Sequence, residues 1–135
     1  MSYHVLVMGK YQVAALEVLR EDFTPHCAVY SFLKECYDDS NFNASARGLW
    51  ALINRYAEHG PRGLTSDMMH EANKNDSIQE LIKGRIRVLG FIESGTLYLT
   101  NGYIKKSQAA DKQEVARAVR AKSDFLQLLS KKGSK

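Results

Sequence analysis

The stretch from residue 77 to residue 103 restricts this chain more than any other. It divides into three short segments rich in β-branched and aromatic residues, 77–82, 85–92 and 96–103, separated by glycine-bearing turns. Lys83-Gly84 reads as a two-residue turn and Glu93-Ser94-Gly95 as a three-residue turn with glycine last. Strands joined by connections this short pair antiparallel, so the segment is expected to be a meander. Alternation then assigns sides. On the second strand Ile86 and Val88 point one way and Arg85 and Arg87 the other. On the third, Leu97 and Leu99 oppose Thr96, Tyr98 and Thr100. The apolar side needs a helical cover. The arginine side is left for solvent or a ligand.

The rest of the chain supplies that cover. Residues 3–8 alternate and read as a strand ended by Gly9. Residues 13–20 carry a weak helical pattern. Thr24-Pro25 reads as a helix start, with Val29, Phe32, Leu33 and Cys36 following at three- and four-residue spacing. After the polar break Asp38-Asp39-Ser40-Asn41, a second helix places Leu49, Leu52, Ile53 and Tyr56 on one face and stops at His59-Gly60-Pro61. Two consecutive helices with a short connection predict an antiparallel helical hairpin. Residues 61–76 are polar and read as irregular, with one helical turn near 67–72. Asp111 followed by Glu114 resembles a capping box and opens a final helix with Val115, Ala118, Val119, Phe125 and Leu129 inward. Residues 130–135 read as a frayed basic tail. Strand, helices, three strands and helix give an α+β class, with helices on one face of the sheet.

Charge is distributed unevenly. Residues 1–76 hold 7 Lys/Arg against 10 Asp/Glu, and residues 77–135 hold 12 against 5, so the net +4 belongs to the C-terminal part. A basic half of this kind fits a polyanion partner, because Lys and Arg bound to phosphates release condensed counterions. The alternative is a solvated basic face. Two cysteines, Cys27 and Cys36, make neither a disulfide framework nor a zinc spacing, and they are expected to be reduced. The apolar stretch 5–8 is too short for a signal peptide, and no run of about 18 apolar residues exists to span a membrane. A cytoplasmic protein is expected.

An exposed face of Arg, Tyr and Lys suits RNA. Guanidinium groups hold phosphate oxygens through forked hydrogen bonds, and tyrosine rings offer platforms for unstacked bases. The same residue types suit metal-free strand cleavage by a ribose 2′-OH, which needs a base, a cation beside the phosphorane and an acid for the departing oxygen. Arg85 and Arg87 are candidates for phosphate, and Tyr103, Lys105 and Lys106 for proton transfer or charge stabilisation. Lys83, Tyr98, Arg117 and Arg120 are candidates for RNA binding. Among the histidines, His59 suits a helix C-terminus, and His4 and His26 have no identifiable partner. His70 either reaches the site as a general base or is a surface histidine of a polar loop. No metal or cofactor is expected.

Several runs resemble the HigB-like, phage-associated branch of the RelE/ParE toxin superfamily. They are Tyr56-Ala57-Glu58-His59-Gly60-Pro61, Gln79-Glu80-Leu81-Ile82 leading into Arg85-Ile86-Arg87-Val88, Gly102-Tyr103-Ile104-Lys105-Lys106-Ser107-Gln108, and the helix opening Glu114-Val115-Ala116-Arg117-Ala118. The resemblance covers roughly residues 49–122. It implies one toxin domain over residues 1–135, built as a helical hairpin on a small, mainly antiparallel four-stranded sheet with a C-terminal helix. It also implies ribosome-dependent mRNA cleavage and a neutralising antitoxin, often a helix-turn-helix protein. Arg87 matches the family's strand arginine, and Tyr103, Lys105 and Lys106 match its strand end. Two positions depart from the pattern: Ile82 stands where the family has Arg, and Ile86 where it has an aromatic. Residues 9–23 are longer than the family pattern. Two other functions remain open on this reading, a ParE-like gyrase inhibitor and a non-catalytic phage-derived protein that binds a host target.

Overall fold

A computed structural model describes residues 1–108 and 111–133. The described residues form strands β1 (Ser2–Met8), β2 (Gln12–Leu19) and β3 (Pro25–His26), then helices α1 (Ala28–Asp38) and α2 (Asn43–His59). A short 3₁₀ turn, Pro61–Gly63, leads to β4 (Met69–Asn73), β5 (Ile78–Lys83), β6 (Ile86–Glu93) and β7 (Thr96–Ile104), and the chain closes with α3 (Lys112–Gly133). The strands join in one mixed sheet of order β1-β2-β7-β6-β5-β4, with β3 pairing β2. β2 runs parallel to β7, and the other neighbouring pairs are antiparallel.

The meander stands where the sequence places it, but the sheet around it is larger. A four-stranded, mainly antiparallel sheet is therefore incorrect: the described residues hold seven strands in a mixed sheet. β2 lies where a short helix was expected. Its side chains alternate between two apolar layers. Val13 and Ala15 join the core under α1 and α2, while Ala14 and Leu16 join the cluster under α3. A strand covered on both faces is apolar throughout and loses the alternation that marks a half-solvated one. β4 is a polar edge strand, where an irregular segment with a helical turn was expected. Pro25 does not open a helix but pairs with Leu19 in β3, and α1 starts at Ala28 behind Cys27, which gives no side-chain cap. Proline lacks the N–H that a central strand needs, so a two-residue edge bridge accommodates it.

Helices cover both faces of the sheet, not one. α1 and α2 pack Val29, Leu33, Leu49, Ile53 and Tyr56 on Leu81, Ile86, Val88, Leu97 and Leu99. α3 crosses the opposite face, with Phe125 on Phe91 and Tyr98, and Ala118 on Ile78 and Leu89. Leu129, expected inward, is 38% exposed. α3 is helical through Gly133, and residues 134–135 of the basic tail expected at 130–135 lie outside the described residues.

The turns follow their glycines. Glu93 pairs with Thr96, so the β6–β7 connection is a two-residue turn of Ser94 and Gly95, at φ 51° and 83°. Two positive φ values match the strand twist of a type I′ hairpin. α2 ends at Gly60, φ 70°, whose N–H donates to the Tyr56 carbonyl at 2.7 Å, with Pro61 behind it. The Tyr11 N–H donates to the Ala57 carbonyl at 2.9 Å and fastens the β1–β2 turn to that helix end.

Candidate active site

Strand register assembles the site. His70 of β4 sits opposite Glu80 of β5, which sits opposite Leu89 of β6 and then Asn101 of β7. In the next row on the same face, Ile82, Arg87 and Tyr103 are opposite one another. Both rows lie on the α3 side of the sheet. α3 covers Leu89 fully but leaves the end nearest the β5–β6 turn half open, so Ile82, Arg87 and Tyr103 are partly exposed.

Glu80 is the centre. Its side chain is 7% exposed, against 12% for Arg87 and 47% for His70. His70 Nε2 lies 2.9 Å from Glu80 Oε1, and the Tyr103 hydroxyl donates to Oε2 at 2.8 Å. An imidazole nitrogen facing a carboxylate carries the proton, so Nδ1 of a neutral His70 is left as an acceptor. Arg87 Nη1 donates to the carbonyls of Gly84, at 2.7 Å, and Ile86, at 3.0 Å. Its Nε is buried without a hydrogen-bond partner, 4.0 Å from Glu80 Oε1. A guanidinium this buried beside a carboxylate holds positive charge where the dielectric is low. Tyr103 is pushed above the usual phenol range, first by burial, then by its hydrogen bond to Glu80 and that carboxylate's charge, with Arg87 opposing. Its hydroxyl is the donor that holds Glu80 Oε2.

The candidate residues divide between this cluster and other places. Lys105 and Lys106 follow β7 and line an open cleft of about 600 Å³ beside Tyr103. Arg85 does not share a face with Arg87. It occupies the turn, lies 5.8 Å over the Phe42 ring on the helical-hairpin side, and donates from Nε to the Lys105 carbonyl at 3.4 Å. Lys83 packs over Gly48 of α2 on that same side. Tyr98 is buried among Tyr3, Phe91 and Phe125, which closes its ring to a base. Arg117 pairs with Glu114 at 3.4 Å on α3, and Arg120 lines a separate groove between α3 and β4. The capping box forms in half: Asp111 Oδ1 accepts the N–H groups of Gln113 and Glu114, each at 3.1 Å, but the Glu114 carboxylate turns to Asn101.

Glu80 carried no assigned role in the sequence. Its signal was local: on β5 one face reads Ile78, Glu80, Ile82, an acid between two apolar residues. Among the described residues no three His, Cys, Asp or Glu side chains group to hold a metal, and no helix is long and apolar enough to cross a membrane.

The family model described as Phage derived protein Gp49-like (DUF891) matches residues 40–123, more than half of the chain. The chain belongs to this family. Gp49-like proteins fall within the RelE/HigB-like toxin superfamily. No curated protein matches the chain. The Gp49-like segment runs from the start of α2 into α3 and contains every member of the His70–Glu80–Arg87–Tyr103 cluster. β1, β2, β3 and α1 precede it.

Proposed function

We propose that this Gp49-like protein is the toxin of a toxin–antitoxin pair and cleaves messenger RNA on the ribosome without a metal. One observation carries the reading: a histidine oriented by a buried carboxylate shares that carboxylate with a largely buried arginine at the half-open end of the sheet. A base whose far nitrogen is fixed by a carboxylate is the arrangement that proton abstraction requires. In the reaction, His70 Nδ1 takes the proton of a ribose 2′-OH. The 2′ oxygen forms a bond to the adjacent phosphorus, and Arg87 with Lys105 or Lys106 stabilises the charge on the phosphorane. The bond to the 5′ oxygen breaks, and a lysine ammonium at the end of β7 supplies its proton. The products are a 2′,3′-cyclic phosphate and a 5′-hydroxyl. A neutralising antitoxin would cover this end of the sheet.

The test is a reconstituted translation system with primer extension on the message. Wild-type protein is expected to cut inside the reading frame only when ribosomes are present, and His70→Ala to cut about 100-fold more slowly, the lower end of what general-base removal causes. Intact message with the wild-type protein would remove the reading. The position of Ile82 opposite Arg87 supports a second reading, because it leaves the site one cation short of the family pattern. That reading is inhibition of DNA gyrase, and an unaffected supercoiling assay at excess protein removes it.

A further inference from the structure

β7 has an unusual edge. β2 pairs with it only at Leu97, Tyr98 and Leu99, while β6 follows it to Ile104. From Thr100 onward the side of β7 away from β6 has no strand neighbour among the described residues. The Lys105 N–H donates to the Arg85 carbonyl at 2.8 Å, so by antiparallel alternation Tyr103 and Asn101 turn their backbone groups toward β6. Gly102 and Ile104 turn theirs outward. The cleft of about 600 Å³ runs along this free edge, with Phe32 of α1 on one wall, Gln113 of α3 on the other, and Lys105, Lys106 and Lys112 around it. Gly102 makes the wall possible, since a Cβ there would overlap the Phe32 ring.

We propose that this cleft is a nucleotide-recognition pocket that sets which base lies next to the cut. A flat heterocycle against Phe32 presents its edge to the backbone N–H and carbonyl of Ile104, a donor and acceptor pair that reads hydrogen-bonding pattern as a complementary base would. Gln113 adds a side-chain amide that can donate and accept. The lysines hold the flanking phosphates. A protein partner could also use a free strand edge, but three lysines against the single acid Asp111, beside an aromatic wall, favour a nucleotide. The α3 N-terminus itself does not serve as the anion site, because Asp111 already occupies its first N–H groups.

This inference rests on the ribonuclease reading, and the experiment separates the two. Cleavage positions are mapped on one ribosome-bound message for wild type, Gln113→Ala, which is exposed, and Phe32→Leu, which keeps apolar volume. If wild type leaves the message intact, the ribonuclease reading fails, and pocket binding is still read from chemical shifts of the Gly102 and Ile104 amides with each of the four ribonucleoside 3′-monophosphates. The expected result is cleavage by all three proteins, with the ratio between preferred and other bases falling about tenfold in Gln113→Ala, as loss of one hydrogen bond to the base implies, and falling also in Phe32→Leu, which removes the flat wall that orients the base. Among the monophosphates, one base is expected to shift those amides at the lowest concentration. An unchanged base preference in both variants overturns the inference while leaving the ribonuclease intact. Equal shifts with all four nucleotides overturn it, as do shifts with an acidic decapeptide and none with nucleotides.

Discussion

Replacing Glu80 by Gln, alone and with Tyr103→Phe, tests the centre of the site. The carboxylate accepts from Tyr103 at 2.8 Å and lies 2.9 Å from His70 Nε2, and Arg87 Nε stands 4.0 Å away with no other partner. A hydrogen bond to a charged group contributes about 1.5–3 kcal/mol, and one between neutral groups about 1 kcal/mol. Glutamine keeps an oxygen for Tyr103, so that bond falls from the first value to the second. It turns a donor toward His70, whose bond is discounted because the ring is 47% exposed. It also leaves Arg87 as a buried cation without its counter-charge. Together these give a loss of about 2–4 kcal/mol for Glu80→Gln.

Tyr103→Phe removes one donor and leaves part of the carboxylate unsatisfied, for about 1–2 kcal/mol. If the two side chains act through their shared bond, the double variant loses less than the sum, with a coupling of about 1–2 kcal/mol. Urea denaturation at neutral pH, followed by far-UV circular dichroism, measures all four corners of the cycle at one m-value. Additive losses, with coupling within about 0.3 kcal/mol of zero, would refute the claim that Tyr103 holds Glu80. A Glu80→Gln loss under about 0.5 kcal/mol would refute its role as the counter-charge of Arg87.

Burial first, with the neighbouring Tyr11 adding to it, pushes the Tyr56 phenol up to about 12. The unfolded chain then gives up this proton before the folded one does, so the contribution is whole below about pH 10 and declines as pH rises from there through about 12, by about 2–3 kcal/mol in all. Tyr56→Phe should flatten that alkaline loss and cost about 1 kcal/mol at neutral pH through the bond from its hydroxyl to the Gly95 carbonyl at 3.0 Å, both read from denaturant midpoints across pH. Phe125→Ala empties the aromatic cluster beneath α3 and is expected to cost about 3–4 kcal/mol, with amide exchange rising first in α3. Gly60→Ala puts a Cβ at φ 70° and 2.6 Å from the Tyr11 ring, so a loss of at least 1 kcal/mol by thermal or urea unfolding is expected. Gly90→Ala brings a Cβ within 2.5 Å of the Tyr98 carbonyl and should disrupt the β6–β7 ladder, seen as accelerated exchange of the amides of both strands.

Legibility followed the number of covered faces. The β5–β6–β7 meander and α2 could be read because glycine turns and a Gly-Pro stop mark their ends and each shows a clear period. β2 could not, because Val13, Ala14, Ala15 and Leu16 are all buried, between two layers of helix. The sequence alone offered no reason to place α3 opposite α1 and α2, and with one face assumed bare, Arg87, Tyr98 and Tyr103 all read as solvent-facing. The second layer closes over Tyr98, half covers Tyr103 and Arg87, and gives Glu80 its burial. Arg85 and Arg87 separated because Arg85 belongs to the turn, where strand alternation no longer applies. His70 could not be placed while β4 read as loop. Its approach to Glu80 depends on a pairing ten residues apart that no local pattern announces.

A single helix on the second face explains why the site is where it is. α3 starts only after the chain has left β7, so its first turns close over Leu89 and hold Asn101 but only half cover the row of Ile82, Arg87 and Tyr103. The uncovered end is also where β2 has left β7, so a half-open face and an unpaired strand edge meet within a few residues of Tyr103. Buried charge there is a poor way to gain stability, since desolvation offsets most of what the Glu80–Arg87 attraction returns. What the arrangement does provide is fixed direction. Glu80 sets the tautomer of His70, Tyr103 sets Glu80, and the Gly84 and Ile86 carbonyls set Arg87. Orientation of this kind would lower the reorganisation required in the proposed cleavage. The lysines that would receive the phosphate stand at the end of β7, where the sheet and the cleft share a border.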